Sequence, residues 1–196
     1  MSGDAEQPLR ELLALRDWDG ATAAVLRLYG PEIIGWLTDA FRNQADAQDA
    51  FSRTAEQLWR SCARFDGRCS LRTWLYMLAR HAVHYVRNQA KFRHEQLVSE
   101  VPSAVHVATH VWNTTRRAAA HNANVYAEIR MALDEDDRLL LVLRVDRGLT
   151  WRDIAHVTLG ELARADEIEQ KSGALRKQFE RVKAQLRELA ATKIQE

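Results

Sequence analysis

The chain has 196 residues, 46% hydrophobic and 28% charged, with eight glycines and three prolines, a composition that reads as globular and leaves room for two small cores. No apolar run reaches the roughly 20 residues needed to cross a bilayer, and the first residues, MSGDAEQPLR, lack the basic-then-apolar order of a secretory signal, so a cytoplasmic location is expected. Two cysteines, Cys62 and Cys69, make a disulfide framework implausible, and a net charge of +1 argues at first sight against a nucleic-acid partner.

That average conceals zoning. Between Arg60 and Arg93 there are eight basic residues (Arg60, Arg64, Arg68, Arg72, Arg80, Arg87, Lys91, Arg93) against one acid, Asp66. From Gln170 to the end there are seven basic residues against three acids. Acids collect elsewhere, at Asp134, Glu135, Asp136 and Asp137 and again at Asp166, Glu167 and Glu169. Two separated basic segments are what two polyanion contacts require, although solvated helix faces give the same pattern.

Along the chain, Leu9, Leu12, Leu13, Leu15, Val25, Leu26 and Leu28 predict a helix or pair of helices over 8–28. Gly30 and Pro31 read as punctuation, with Pro31 opening a new helix whose apolar face is Ile33, Ile34, Trp36, Leu37 and Phe41. A third helix is predicted from about Asp46, burying Ala50, Phe51, Leu58 and Thr54, and ending before the turn at Asp66 and Gly67. Ser70 is the predicted N-cap of a long helix through Leu71, Trp74, Leu75, Leu78, Ala82 and Tyr85 to about Phe92.

Residues 99–124 are poor in charge and periodicity and read as a linker, with some helix allowed around Trp112 to Ala120. The expected architecture is all-α, with a helical bundle over 1–98, the linker, and a second helical domain over 125–196. Within the latter, helices are predicted on either side of the acidic turn 134–137. Thr150 and Asp153 form a capping-box-like pair opening a short helix closed by Gly160. A last helix, Ser172 to about Ala190, carries Leu175, Phe179, Val182, Leu186 and Leu189 on one stripe and basic residues around the rest. A short helix, a turn and a basic amphipathic helix can set the second helix in a DNA major groove; an ordinary helical hairpin has the same periodicity.

No Gly-rich phosphate loop, nucleophile elbow or metal-spaced quartet is present, so neither an enzyme nor a cofactor is expected. His81 with His84, and His106 with His110, lack a third ligand at matching spacing.

The run RFDGRCSLRTWLY from Arg64 to Tyr76, preceded by DAQD from Asp46 to Asp49 and by Leu58 and Trp59, resembles the second conserved region of the extracytoplasmic-function sigma factors of bacteria. GLTWRDIA from Gly148 to Ala155 and GALRKQFERVKAQLREL from Gly173 to Leu189 are similar to the fourth region. The resemblance implies an alternative sigma factor, with promoter DNA and the RNA polymerase core as partners and no membrane. It puts the polymerase clamp contact at Asp46, Gln48, Asp49, Arg53 and Glu56. Downstream promoter DNA would meet Arg72, Trp74, Arg80, His81, Tyr85 and Arg87, of which Trp74 and Tyr85 also fall on the apolar stripe. Upstream promoter DNA would meet Ser172, Ala174, Arg176, Lys177 and Arg181, with Arg176 the best candidate for a base contact. A helix-turn-helix regulator acting without polymerase is the competing reading.

Three departures from the family pattern stand out. Gln48 and Arg53 replace expected acids, and Arg53, one turn after Asp49, is placed to neutralise it. Ser52 and Thr54 flank Arg53, and a phosphate there adds about −1.5 to −2 charge units. The pattern resembles a subgroup controlled by a Ser/Thr protein kinase, which implies Thr54 as acceptor and Ser52 as second choice. His81 and Tyr85 stand where the family often has Asn and Asp, so its downstream sequence preference does not transfer. Finally, residues 161–171 form an insertion that could extend the supporting helix, form an extra turn, or cover the DNA face.

Overall fold

The computed structural model describes residues 3–41, 43–90, 107–112, 115 and 133–194, and the chain divides into two compact units, Met1–Ala120 and His121–Glu196. The described residues are all-α, without a strand. The first unit contains α1 (Gly3–Ala14), α2 (Trp18–Ala40), α3 (Gln44–Ser61), a 3-10 turn at Cys62–Arg64, α4 (Leu71–Ala90) and a helical segment at 107–112. The second contains α5 (Glu135–Leu141), continued by a π-helical turn at Val142–Asp146, then α6 (Trp151–Leu159) and α7 (Ala165–Ile194).

α1 ends on Arg16 in the left-handed region (φ 58°), with the Asp17 amide bonded to the Leu12 carbonyl at 3.0 Å. Asp17 then caps α2 by accepting from the Gly20 amide at 2.9 Å. The predicted break at Gly30 and Pro31 does not occur, and α2 runs straight through both. A mid-helix proline forfeits one backbone bond and costs about 3 kcal/mol. Pro31 lies on the exposed side, while Val25, Leu26, Ile33, Ile34 and Leu37 are all within 2% of full burial, and that packing outweighs the loss.

α2, α3 and α4 close around Phe51, Leu58, Leu75 and Tyr76, each 1% exposed or less. Trp36 meets Tyr76 edge-on at 5.7 Å, and Trp74 stacks against Phe65 at 4.9 Å. Trp59 donates to Asp19 at 2.5 Å, tying α3 to the start of α2. Arg87 on α4 donates to the Ala40 carbonyl at 2.8 Å, placing a cation at the negative end of α2. Ser70 opens α4 as expected, accepting from the Thr73 amide at 3.0 Å.

Part of the predicted linker belongs to this core. Ala108, Val111 and Trp112 occupy one face of the 107–112 helix and are 2%, 5% and 2% exposed. Trp112 packs on Phe51, and a Cβ at Gly30 would lie 2.7 Å from Val111 Cγ1. Gly30 is therefore the notch that admits Val111, a close approach and not a helix stop. The rest of 99–124, apart from residue 115, and the helix predicted ahead of the acidic turn, up to residue 132, lie outside the described residues.

In the second unit the acids at 134–137 do not form a free turn. Asp134 caps α5 by accepting from the Asp137 amide at 2.8 Å, and the other three fill the first turn, where the helix dipole favours them. Thr150 and Asp153 form the expected capping box, and Gly160 (φ 90°) ends α6. Leu133, Leu141 and Val182 form a core with Phe179 and Leu186 against it. Trp151 meets Phe179 edge-on at 5.4 Å.

Residues 165–171 of the insertion are absorbed into α7, which starts at Ala165, about two turns before the predicted Ser172, and 161–164 form the turn ahead of it. Ile168 is 2% exposed and gives the added turns a packed face, and the Arg164 amide donates to Glu167 at 2.8 Å across the start of the helix.

Candidate nucleic-acid and polymerase interface

α4 has to satisfy two demands, a buried face for the bundle and a polar face outward. The outward stripe consists of His81, His84, Tyr85 and Asn88 at helical spacing, all exposed. His84 and Asn88 were not among the predicted DNA contacts, although continuing the i, i+3, i+7 series from His81 finds them. Arg80 and Arg87 are half-buried at its margin.

Two residues assigned to downstream DNA face inward, Trp74 as its place on the apolar stripe predicted and Arg72 against expectation. Trp74 is 3% exposed and belongs to the core. Arg72 donates through Nε to both oxygens of Glu32 at 3.1 and 3.0 Å, and its Nη2 also bonds that carboxylate. Tyr76 donates to the same Glu32 at 2.8 Å. Burial alone would lower the Arg72 pKa, but the hydrogen bonds and charge of Glu32 outweigh it and hold the guanidinium above its ordinary value. Arg72 is thus a structural cation joining α4 to α2. Arg87 is similarly engaged by the Ala40 carbonyl and by the Phe41 ring at 5.4 Å.

On α3, Gln48 and Asp49 are exposed. Asp46 is half-buried and accepts from Asn43 Nδ2 at 2.7 Å, and Glu56 pairs with Arg60 at 2.8 Å. Arg53 does not fold back to neutralise Asp49. Its guanidinium carbon sits 3.3 Å from the centre of the Tyr85 ring on α4, a cation–π contact across the two helices.

The two candidate phosphate acceptors differ sharply. Thr54 is fully buried, and its hydroxyl donates to the Ala50 carbonyl at 2.7 Å. Ser52 is half-buried. The same helical spacing that brings Thr54 near Arg53 also turns it into the bundle, as the apolar pattern of the third helix predicted.

In the second unit Ser172 is 3% exposed and donates to the Ile168 carbonyl at 2.7 Å, so it braces α7 from within and does not face outward. Ala174, Arg176, Lys177 and Arg181 are exposed on α7. The two added turns place exposed Asp166, Glu167 and Glu169 ahead of this basic face. Gln178 donates to Asp137 at 2.7 Å and fixes α7 against α5.

Among the described residues no group of three His, Cys, Asp or Glu side chains could hold a metal ion, and no helix is long and apolar enough to cross a membrane.

Residues 25–92, about a third of the chain, match the family model described as Sigma-70 region 2. The match takes in most of α2 and all of α3 and α4, hence both faces just described; the second unit lies outside it. No curated protein and no solved structure matches the chain. The region 2 match over the N-terminal unit supports a sigma-factor role in transcription initiation, with RNA polymerase core and promoter DNA as the partners such a domain implies.

Proposed function

We propose that the chain is an alternative sigma factor of the extracytoplasmic-function type, whose N-terminal unit docks on the polymerase clamp and engages unwound promoter DNA while α6 and α7 read the upstream element. The observation that carries this reading is the region 2 match over α2, α3 and α4, which present two distinct polar faces, Gln48 and Asp49 on α3 and the His81 to Asn88 stripe on α4. Exposed Arg176, Lys177 and Arg181 on α7 are the candidate upstream contacts, by position on a basic helix following a short one.

The finer element of the reading is a charge switch. Only Asp49 supplies an exposed acid in the middle of the predicted clamp contact, so a phosphate on α3, added by a Ser/Thr protein kinase, would deepen the negative field there. Access favours Ser52 over Thr54 as the acceptor.

The test is core-polymerase binding by the unmodified chain, by Ser52→Glu and by protein phosphorylated at Ser52, at one salt concentration. Binding that rises with added charge supports the role and the switch. Equal, tight binding keeps the role and removes the switch. No binding in any form, with tight binding to duplex DNA by the chain alone, would instead favour a helix-turn-helix regulator that works without polymerase.

A further inference from the structure

Charge changes sign along α7 and the turn before it. From 161 to 171 there are four acids against two cations, and from 172 to 187 five cations against one acid. Both halves belong to one continuous helix whose first turns are fastened down. Ile168 is 2% exposed and Ser172 3%, and the Ser172 hydroxyl bonds the Ile168 carbonyl at 2.7 Å and the Trp151 carbonyl of α6 at 3.3 Å. The acidic turns therefore stay in line with whatever the basic half meets.

The buried stripe of Ile168, Ser172, Leu175 and Val182 leaves Asp166, Gln170, Gly173, Lys177 and Arg181 along the opposite side, with Glu169 and Arg176 two turns apart on its flank. Glu169 and Arg176 are about 10 Å apart along the axis, beyond the screening length at physiological salt, so the acids do not neutralise the basic face. Arg164 pairs with Asp166 at 3.1 Å, but both side chains are mostly exposed and water weakens the pair. The Arg164 amide is taken by Glu167 at 2.8 Å. The helix end that ordinarily attracts phosphate is thus filled by its own carboxylates.

Between the two halves stands a glycine the fold does not require. Gly173 is exposed inside a 30-residue helix, where glycine costs stability relative to alanine, and nothing lies within 4 Å of a Cβ built on it. With exposed Ala174 beside it, it opens the helix backbone to close approach from outside, at the point where the charge turns positive. A duplex docked on Arg176, Lys177 and Arg181 comes closest there, and its phosphates meet like charge further toward Ala165. We propose that Asp166, Glu167 and Glu169 are a repulsive stop that holds the first two turns of α7 off the duplex, so that upstream DNA is met from Gly173 onward and bound less tightly than the cations alone would bind it. The inference rests on the reading of α7 as the upstream-element helix and names the residues that limit that contact.

The experiment measures binding of the full chain to a fluorescent mixed-sequence duplex of about 30 base pairs, at about 50 and 500 mM salt. The triple variant Asp166→Asn, Glu167→Gln, Glu169→Gln is expected to bind about ten-fold tighter at the lower salt and within about two-fold of the unaltered chain at the higher, because salt screens the repulsion it removes. Neutralising three other exposed acids of the second unit, Glu135→Gln, Asp136→Asn and Asp146→Asn, makes the same change in net charge and should gain less than about two-fold. Gly173→Leu has room in the fold and should weaken binding about five-fold or more with its melting curve no lower, since the obstruction meets only the duplex. An equal gain in the control, a gain that persists at high salt, no gain, or unaltered binding by Gly173→Leu would overturn the stop. A fall in core-polymerase affinity in the triple variant would overturn it too, by giving the acids to the polymerase. Arg176→Ala separates the two levels of the reading. Duplex binding that ignores Arg176→Ala refutes α7 as the DNA helix, whereas binding that needs Arg176 and ignores the acids refutes the stop alone.

Discussion

Glu32 on α2 and Arg72 on α4 form an ion pair with side chains only 21% and 25% exposed, and the Arg72 Nε lies 3.0 Å from one carboxylate oxygen. Replacing Arg72 by Ala leaves Glu32 partly buried without its cation and should lower the stability of the first unit by about 1–3 kcal/mol, read as a fall in thermal midpoint. Arg80→Ala, at the edge of the exposed stripe, should change the salt dependence of DNA binding with a smaller effect on stability. Equal melting curves for Arg72→Ala and the unaltered chain would contradict the structural assignment.

Tyr29 supplies a pH dependence. Burial first, and then its hydrogen bond to Glu6 at 2.9 Å, push its phenol well above the ordinary value of about 10. A group whose pKa is raised on folding adds stability that is fully present below its unfolded pKa and is lost as pH rises toward the folded value. The chain should therefore lose stability above about pH 10, and Tyr29→Phe should flatten that alkaline limb. An unchanged alkaline limb in the variant would place its cause in other groups.

Trp112→Ala removes an almost fully buried indole from the face of Phe51 and should destabilise the first unit by about 3–5 kcal/mol. Gly30→Leu should act on the same contact from the other side, since even a Cβ there meets Val111 at 2.7 Å. Denaturation of the full chain followed by tryptophan fluorescence checks both. If 107–112 were a free linker, neither change would move the first unit's transition.

On α7, Arg176→Ala should weaken duplex binding and reduce its salt dependence while leaving the melting curve in place. Ser172→Ala should do the reverse, costing about 0.5–1.5 kcal/mol of stability with salt dependence unchanged. Filter binding across a salt series, paired with thermal melts, distinguishes the two.

The helices themselves were largely legible in the sequence because capping chemistry and apolar spacing are local. Ser70, Thr150 with Asp153, and Gly160 mark their helices where the structure has them. Gly30 and Pro31 misled because the same residues that stop a helix also serve close packing, and Val111 is eighty-one positions away. The start of α7 was hidden because Ile168 packs through tertiary contacts that its polar neighbours do not announce. At the candidate sites, residue type located the faces, and the apolar spacing already turned Thr54 and Trp74 inward. It did not show that Arg72 and Ser172 turn inward as well, held by Glu32 and by the Ile168 carbonyl, or that Arg53 crosses to Tyr85 in place of Asp49.

The seating of Trp112 on Phe51 also changes what length variation means in this chain. The two residues are sixty-one positions apart, so the closure entropy of a long stretch of chain is spent before the burial of Trp112 returns anything. The 107–112 helix should therefore join a core that α2, α3 and α4 have already built, and an extra residue ahead of it should cost little, since each doubling of a closed length costs only about 0.6 kcal/mol.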